Sequence, residues 1–314
     1  MLRAASLLFL LSLGSFGVFA QTTATKAKSL PPKTFATPEE ARDVLIAEAA
    51  KGLDALRQMF GTGSEQILHT GDTTLDQNLV ATFNQEVKEK TALEPDPANP
   101  DHITLLLGNE DWPFAVPLMR TNGRWYFDVK EGKAEIARRV IGNNELDAIQ
   151  VCQGYVQAQE EYASVDRDGN GLHEYASRIV STAGKKDGLY WPGNDSPVAE
   201  AFARAVAEGY GTKKLPPRAY HGYYFRILTA QGAQADGGAR DYMVHSLMIG
   251  GFALIAWPVE YGVSGVKTFQ VNQDGLVFEK DLGPSTATAA KSITRFNPDQ
   301  TWAISPRVTN GTAN

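Results

Sequence analysis

The chain has 314 residues, 43% of them hydrophobic and 21% charged, and a formal net charge of −6. Those proportions belong to a globular protein large enough for one large or two ordinary cores, not to a disordered chain. The acidic balance, with no long basic run, speaks against nucleic-acid binding. One cysteine, Cys152, leaves no intramolecular disulfide, so stability must come from packing, with or without help from a bound ion.

The N-terminus reads as a secretory signal over residues 1–20. Arg3 supplies a basic start, Leu7 to Phe19 is mostly apolar, and Val18-Phe19-Ala20 offers small residues at the cleavage positions. The apolar run falls short of the roughly 20 residues a membrane span needs. The expectation is an exported chain, periplasmic or secreted, with no membrane span after cleavage behind Ala20. Residues 21–34, rich in Thr, Ala, Lys and Pro, read as a linker.

Folded sequence is expected from Phe35. Thr37-Pro38-Glu39-Glu40 gives a cap, a proline at the first helical position and acids in the first turn. Apolar residues at three- and four-residue intervals then carry a helix through Ala41, Val44, Leu45, Ala49 and Leu53, with a second over Asp54 to Phe60. Strands are predicted over Ile103 to Leu107, Phe114 to Met119 and Trp125 to Val129, the last two joined by the hairpin signal Asn122-Gly123. Pro117 predicts an edge or a bulge in the middle one. This helix-and-strand unit, residues 35–130, resembles nuclear-transport-factor-2-like or cystatin-like α+β domains.

Residues 131–305 form the second predicted subdomain. Helices are expected over Ala134 to Val140 and Glu145 to Ser164, with Asn144 capping the longer one, and a short helix over Glu174 to Val180. Strands follow at Tyr223 to Leu228, Phe252 to Trp257, Val266 to Val271 and Leu276 to Glu279, the last pair around Asn272-Gln273-Asp274-Gly275. Residues 306–314 read as a flexible tail. The fold class is therefore α+β, the second half being a long helix packed on a small antiparallel sheet. That order, with strands such as Gly222-Tyr223-Tyr224-Phe225-Arg226 and Phe252-Ala253-Leu254-Ile255-Ala256-Trp257-Pro258, resembles the soluble heads of type IV pilins and pseudopilins. Their N-terminal membrane helix and prepilin-peptidase site are absent, which counts against filament assembly by the usual route.

Chemistry concentrates in Asp166-Arg167-Asp168-Gly169-Asn170-Gly171-Leu172-His173-Glu174. Asp166, Asp168 and Asn170 stand at positions one, three and five of an EF-hand-type loop, Gly171 at six, the Leu172 carbonyl at seven and Glu174 at nine. Position twelve is Ser177, not a bidentate glutamate, so a calcium ion held here would be weak, on the order of 10⁻⁴–10⁻³ M, and structural. The alternative is a solvated Asx-rich turn ending a helix, which needs no ion.

Other candidates carry less. Cys152 beside Ile149 and Val156 reads as a buried hydrophobe more readily than as a nucleophile with His221 as base. Neither a Gly-x-Ser-x-Gly elbow nor a His-Glu-x-x-His segment occurs, and the five histidines lack short metal-ligand spacing. Glu110-Asp111 beside Trp112 would suit a glycosidase-like acid/base pair, but a loop entering a strand explains them as well. Tyr190-Trp191-Pro192, Tyr220-His221-Gly222-Tyr223-Tyr224 and Trp257-Pro258 line either a groove for glycan or peptide, or the core; aromatic area favours the core.

The segments Glu110-Asp111-Trp112-Pro113-Phe114, Asn144-Glu145-Leu146, Asp187-Gly188-Leu189-Tyr190-Trp191-Pro192, Tyr220-His221-Gly222-Tyr223-Tyr224 and Gly250-Gly251-Phe252-Ala253 through Tyr261-Gly262-Val263 make the mature chain resemble an uncharacterised family of exported bacterial proteins, domain of unknown function 2950. That resemblance implies no activity. The functional expectation is a cell-envelope binding or assembly-accessory module, with an envelope protein or glycan as partner and catalysis disfavoured. A hydrolase acting on envelope glycan or peptidoglycan is the alternative.

Overall fold

A computed structural model describes residues 30–69, 73–193, 195–198 and 219–305. The expected signal and tail lie outside the described residues, as does most of the linker. The fold is α+β, and the chain divides into two compact units at Val140/Ile141.

The first unit opens with α1 (Pro38–Ala49). Thr37 Oγ1 accepts the Glu40 N–H at 3.1 Å and caps the helix, and Glu40 Oε2 accepts the N–H of Ala36, the residue before the cap, at 2.7 Å. Next come α2 (Leu53–Phe60), α3 (Glu65–Leu68) and α4 (Thr73–Glu89). The stretch Leu30 to Thr34 is docked on this unit: Thr62 N donates to Leu30 O at 2.8 Å and Lys33 N to Met59 O at 2.9 Å. Gly61, at φ 78°, allows that approach, since a Cβ there would lie 2.6 Å from Leu30 O.

The strands of this unit are β1 (Thr91–Asp96), β2 (Asn99–Leu107), β3 (Trp112–Pro113), β4 (Leu118–Thr121) and β5 (Arg124–Phe127). Among the described residues they form an antiparallel sheet in the order β1-β2-β4-β5, with β3 on β2. The stretch predicted as one strand from Phe114 to Met119 is broken: β3 ends at Pro113, and β4 begins only after Ala115-Val116-Pro117. Pro117 cannot donate to a ladder, which accounts for the gap. The Asn122-Gly123 turn holds, both residues having positive φ (52° and 75°). Phe35, Phe60, Phe114 and Phe127 meet in the core, Phe127 lying 5.6 to 6.3 Å from the other three rings.

Two predicted helices prove to be one, α5 (Val129–Ala163), 35 residues long. Asp128 caps it, its Oδ1 accepting from Lys130 N (2.9 Å) and Glu131 N (3.1 Å). Asn144 caps nothing. Its Nδ2 donates to Ser264 O at 2.9 Å, and Glu145 Oε1 accepts from Val266 N and Lys267 N at 2.9 and 3.0 Å. Tertiary bonds thus hold polar residues that look like a helix boundary inside a helix, and Gly142 beside them costs only about 1 kcal/mol.

In the second unit, β6 (Tyr223–Leu228), β11 (Ala253–Pro258), β12 (Lys267–Asn272), β13 (Phe278–Asp281) and β14 (Ala303–Ile304) form an antiparallel sheet in the order β14-β13-β12-β11-β6. Small ladders add β7 (Ala230–Gln231) with β8 (Arg240–Asp241), and β9 (Met243–Val244) with β10 (Leu247–Met248). All six residues of β11, an interior strand paired with β12 and β6, are buried, which explains its unbroken apolar run. Ala148, Ile149, Cys152, Tyr155 and Val156 of α5 share one core with Phe225, Leu254 and Phe269 of the sheet. Arg226 on β6 caps the short α6 (Thr286–Ser292), donating to Ala290 O at 2.9 Å and Lys291 O at 3.2 Å.

The helix predicted over Glu174 to Val180 does not form. Gln159 takes both the N–H and the C=O of Ala176, and Tyr175 N donates to Met248 O at 2.8 Å. Leu189 N and Tyr190 N bond Arg178 O and Ile179 O at 3.2 and 2.7 Å. With those groups engaged over long range, no helical ladder is left to make.

Candidate functional site

Three cavities differ sharply in character. The apolar one inside the first unit, lined by residues such as Leu45, Phe83 and Ile136, holds about 30 Å³, room for about one water. A second, of about 240 Å³, has its charges already satisfied: Glu135 binds Arg138 and Arg139 at 3.0 and 2.8 Å, and Glu131 binds Arg138 at 2.9 Å. The third is an open cleft of about 470 Å³ in the second unit, and it adjoins the acidic loop.

That loop closes the end of α5. Arg167 Nε donates to Tyr162 O at 3.1 Å, and His173 Nδ1 lies 2.7 Å from Ala163 O, so loop side chains reach the final helical carbonyls. Asp166 accepts Gly169 N at 2.8 Å and Gly171 N at 2.9 Å. These backbone donors, Gly171 foremost, hold the Asp166 carboxyl below the usual range. Asn170 joins the other two acids, its Nδ2 lying 2.9 Å from Asp168 Oδ2 and 2.8 Å from Glu174 Oε1. Its Oδ1 accepts Leu172 N at 2.7 Å, while the Leu172 side chain is exposed. The structure therefore draws Asp168, Asn170 and Glu174 together and turns Asp166 onto its own backbone. Among the described residues, no three His, Cys, Asp or Glu side chains form a group placed to hold a metal.

Asp168 and Glu174 also line the cleft, together with Tyr162, Arg167, Tyr175, Arg178, Lys185, Lys186, Asp187 and Ser246. The predicted loop is thus one wall of a larger site whose other residues sequence reading missed. In the sequence Lys185-Lys186 is an isolated basic pair, and the pairing of residues 178–181 with 188–190 accompanies its placement in the cleft that Arg167 also lines. Burial works against the Asp187 carboxylate, but the Thr182 N–H, the Thr182 hydroxyl and Arg178 outweigh it and keep its pKa low. Lys186 pairs with Asp195 at 2.5 Å and lies 4.9 Å over the Trp191 ring.

The remaining candidates fall elsewhere. Glu110 and Asp111 are exposed and line none of the three cavities; Asp111 sits in a turn at φ 52° and pairs with Lys90 at 2.7 Å. Trp112 is stacked by Arg139 at 5.6 Å. Cys152 is fully buried, and burial pushes its thiol up to about 12. His221 pairs with Asp147 at 2.6 Å. Trp191, Tyr223 and Trp257 belong to the core, and Tyr190, Tyr220 and Tyr224 pack against it, so they do not form an open aromatic groove.

The family described as "Protein of unknown function (DUF2950)" matches residues 32–304. The chain belongs to this family. The match takes in both units, the acidic loop and every residue of the cleft. No curated protein and no solved structure matches the chain. Among the described residues, no helix is long and apolar enough to cross a membrane.

Proposed function

We propose that the chain is an exported binding module of the bacterial cell envelope, periplasmic or secreted, which takes an envelope glycan or protein segment into the cleft beside the acidic loop. The observation that carries this reading is the cleft, about 470 Å³ in volume and lined by charged and tyrosine side chains from three separate stretches of chain. The signal-like N-terminus supports export. Hydrolysis would need Glu110 or Asp111 opposite a second carboxylate, whereas Asp111 is paired with Lys90. Amide NMR spectra of the full chain, titrated with soluble peptidoglycan fragments, test the proposal. Shifts confined to residues 162–187 and to Ser246-Leu247 are expected. Spectra unchanged there at millimolar fragment would reject it.

A weak calcium ion belongs to the same proposal as a brace. Asp166, Asp168, Asn170, Glu174 and the Leu172 carbonyl would supply oxygens once the Asn170 amide turns to present Oδ1 where Nδ2 now bridges two carboxylates. Supplied at about ten times its dissociation constant, calcium should add about 1–2 kcal/mol to stability. Thermal unfolding with and without 5 mM (roughly ten times that constant) calcium reads the gain. A midpoint that does not move, or that moves equally in Asp166→Ala/Asp168→Ala, would sink the brace.

A further inference from the structure

Among the cations lining the cleft, Arg167 stacks on two aromatic rings, whereas Lys186 lies over Trp191 alone. The Arg167 Nε is fixed on Tyr162 O at 3.1 Å, and its guanidinium carbon lies 4.7 Å from the Tyr162 ring and 5.1 Å from the Trp191 ring. A guanidinium stacked on aromatic faces loses little further freedom when its fork takes an oxyanion. Yet no carboxylate pairs with Arg167 among the described residues, and none pairs with the exposed Lys185. Every acid on the walls is engaged instead by an internal donor. Asp168 and Glu174 share the Asn170 amide, and Asp187 accepts from Thr182 N and Oγ1 at 2.6 and 2.8 Å and faces Arg178 at 3.6 Å. Each of these acids is held by a donor of its own, while the Arg167 fork and the Lys185 ammonium have no carboxylate partner among the described residues.

The rim adds an independent sign. The β9–β10 hairpin turns at His245 and Ser246, with φ of 49° and 71°, a left-handed pair that Asn-Gly would adopt with far less strain. Ser246 lines the cleft. Non-glycine residues kept in such a conformation concentrate at sites that use them.

We propose that the cleft recognises its ligand through an anionic group, a carboxylate or a phosphate, seated on the Arg167 fork and Lys185 with the Ser246 hydroxyl at its edge. This deepens the binding function proposed above and rests on it for the site but not for the ligand's origin. Side-chain and amide NMR of the full chain, titrated separately with acetate and with inorganic phosphate, tests it directly. Saturable shifts of the Arg167 Nε–H and of the cleft amides are expected with at least one of the two, and which one responds more strongly identifies the acid. Arg167→Gln and, as a variant that leaves the helix cap intact, Lys185→Gln should each weaken binding about tenfold, the order of one charge-assisted contact. Arg167→Lys should keep only part of the affinity, and Lys130→Gln, outside the cleft, should leave binding unchanged. No saturable shift with either anion, or shifts that survive in both Gln variants, would overturn the inference. Peptidoglycan fragments whose carboxylates are methyl-esterified separate the two proposals. If they bind in the cleft as well as the free acids do, the anionic class is lost and the binding function stands. If no fragment binds while the anions still do, the envelope ligand is lost and the anion site stands.

Discussion

Phe252→Ala is expected to destabilise the protein by about 3–5 kcal/mol, the range for removing a fully buried aromatic ring. Phe252 is 1% exposed and fills the space between Tyr155 on α5, at a ring distance of 5.6 Å, and Tyr175 on the cleft wall, at 4.7 Å. Both contacts are edge-to-face, so the loss includes ring-pair energy as well as buried area. Chemical denaturation followed by tyrosine fluorescence or circular dichroism measures the change. Leu146→Ala, at a position 47% exposed, serves as the comparison and should stay within about 0.5 kcal/mol. A Phe252→Ala midpoint equal to that of Leu146→Ala would mean that this aromatic cluster does not hold the second unit together. Because Tyr175 leans on Phe252, the variant should also bind cleft ligands more weakly than its residual folded fraction accounts for.

Gln159→Leu comes next, at about 3 kcal/mol. The side chain is fully buried and makes the two-sided clasp on Ala176: its Nε2 donates to Ala176 O at 2.8 Å, and its Oε1 accepts Ala176 N at 2.8 Å. Nε2 also donates to Tyr155 Oη at 2.9 Å. Leucine keeps the volume and strands a buried N–H and a buried C=O, each worth about 1–3 kcal/mol when left unmade. The expected signature is a fall in melting temperature of roughly 2–4 °C per kcal/mol for a unit of this size. Hydrogen exchange should show the Ala176 amide losing its protection in the same variant. Should Ala176 stay protected, another partner holds the segment behind the acidic loop, and Gln159 is only a filler.

What the residues disclosed and what they hid follow from range of interaction. Local signals were readable: the Thr37 cap, the Asn122-Gly123 turn, the Asn272 to Gly275 turn and the apolar run of β11 all depend on neighbours in sequence. β1 went unseen because Pro95 and Asp96 spoil its pattern, and both are tolerated because β1 is an edge strand. The first half of β2, Asn99 to His102, is polar because it is exposed or only half-buried, so only its buried end looked like a strand. α4 was legible and went unread: Gly71-Asp72 marks a start, and Leu75, Leu79, Phe83 and Val87 recur at four-residue intervals. The split placed at Asn144 failed because that residue and Glu145 are satisfied 120 residues away. At the candidate site, the acidic loop announced itself through spacing. Arg167 was visible only as the residue between two aspartates, since its stacking on Trp191 joins side chains 24 positions apart. Lys185 and Ser246 had no local mark at all.

Sealing the one sulfhydryl of the chain on the buried side of α5 has a consequence for how the protein matures. With Cys152 inaccessible and no second thiol in the sequence, native folding neither makes nor breaks a sulfur–sulfur bond. The finished molecule should be indifferent to whether its surroundings oxidise or reduce, and it can pass between such environments without help from a thiol oxidase or isomerase.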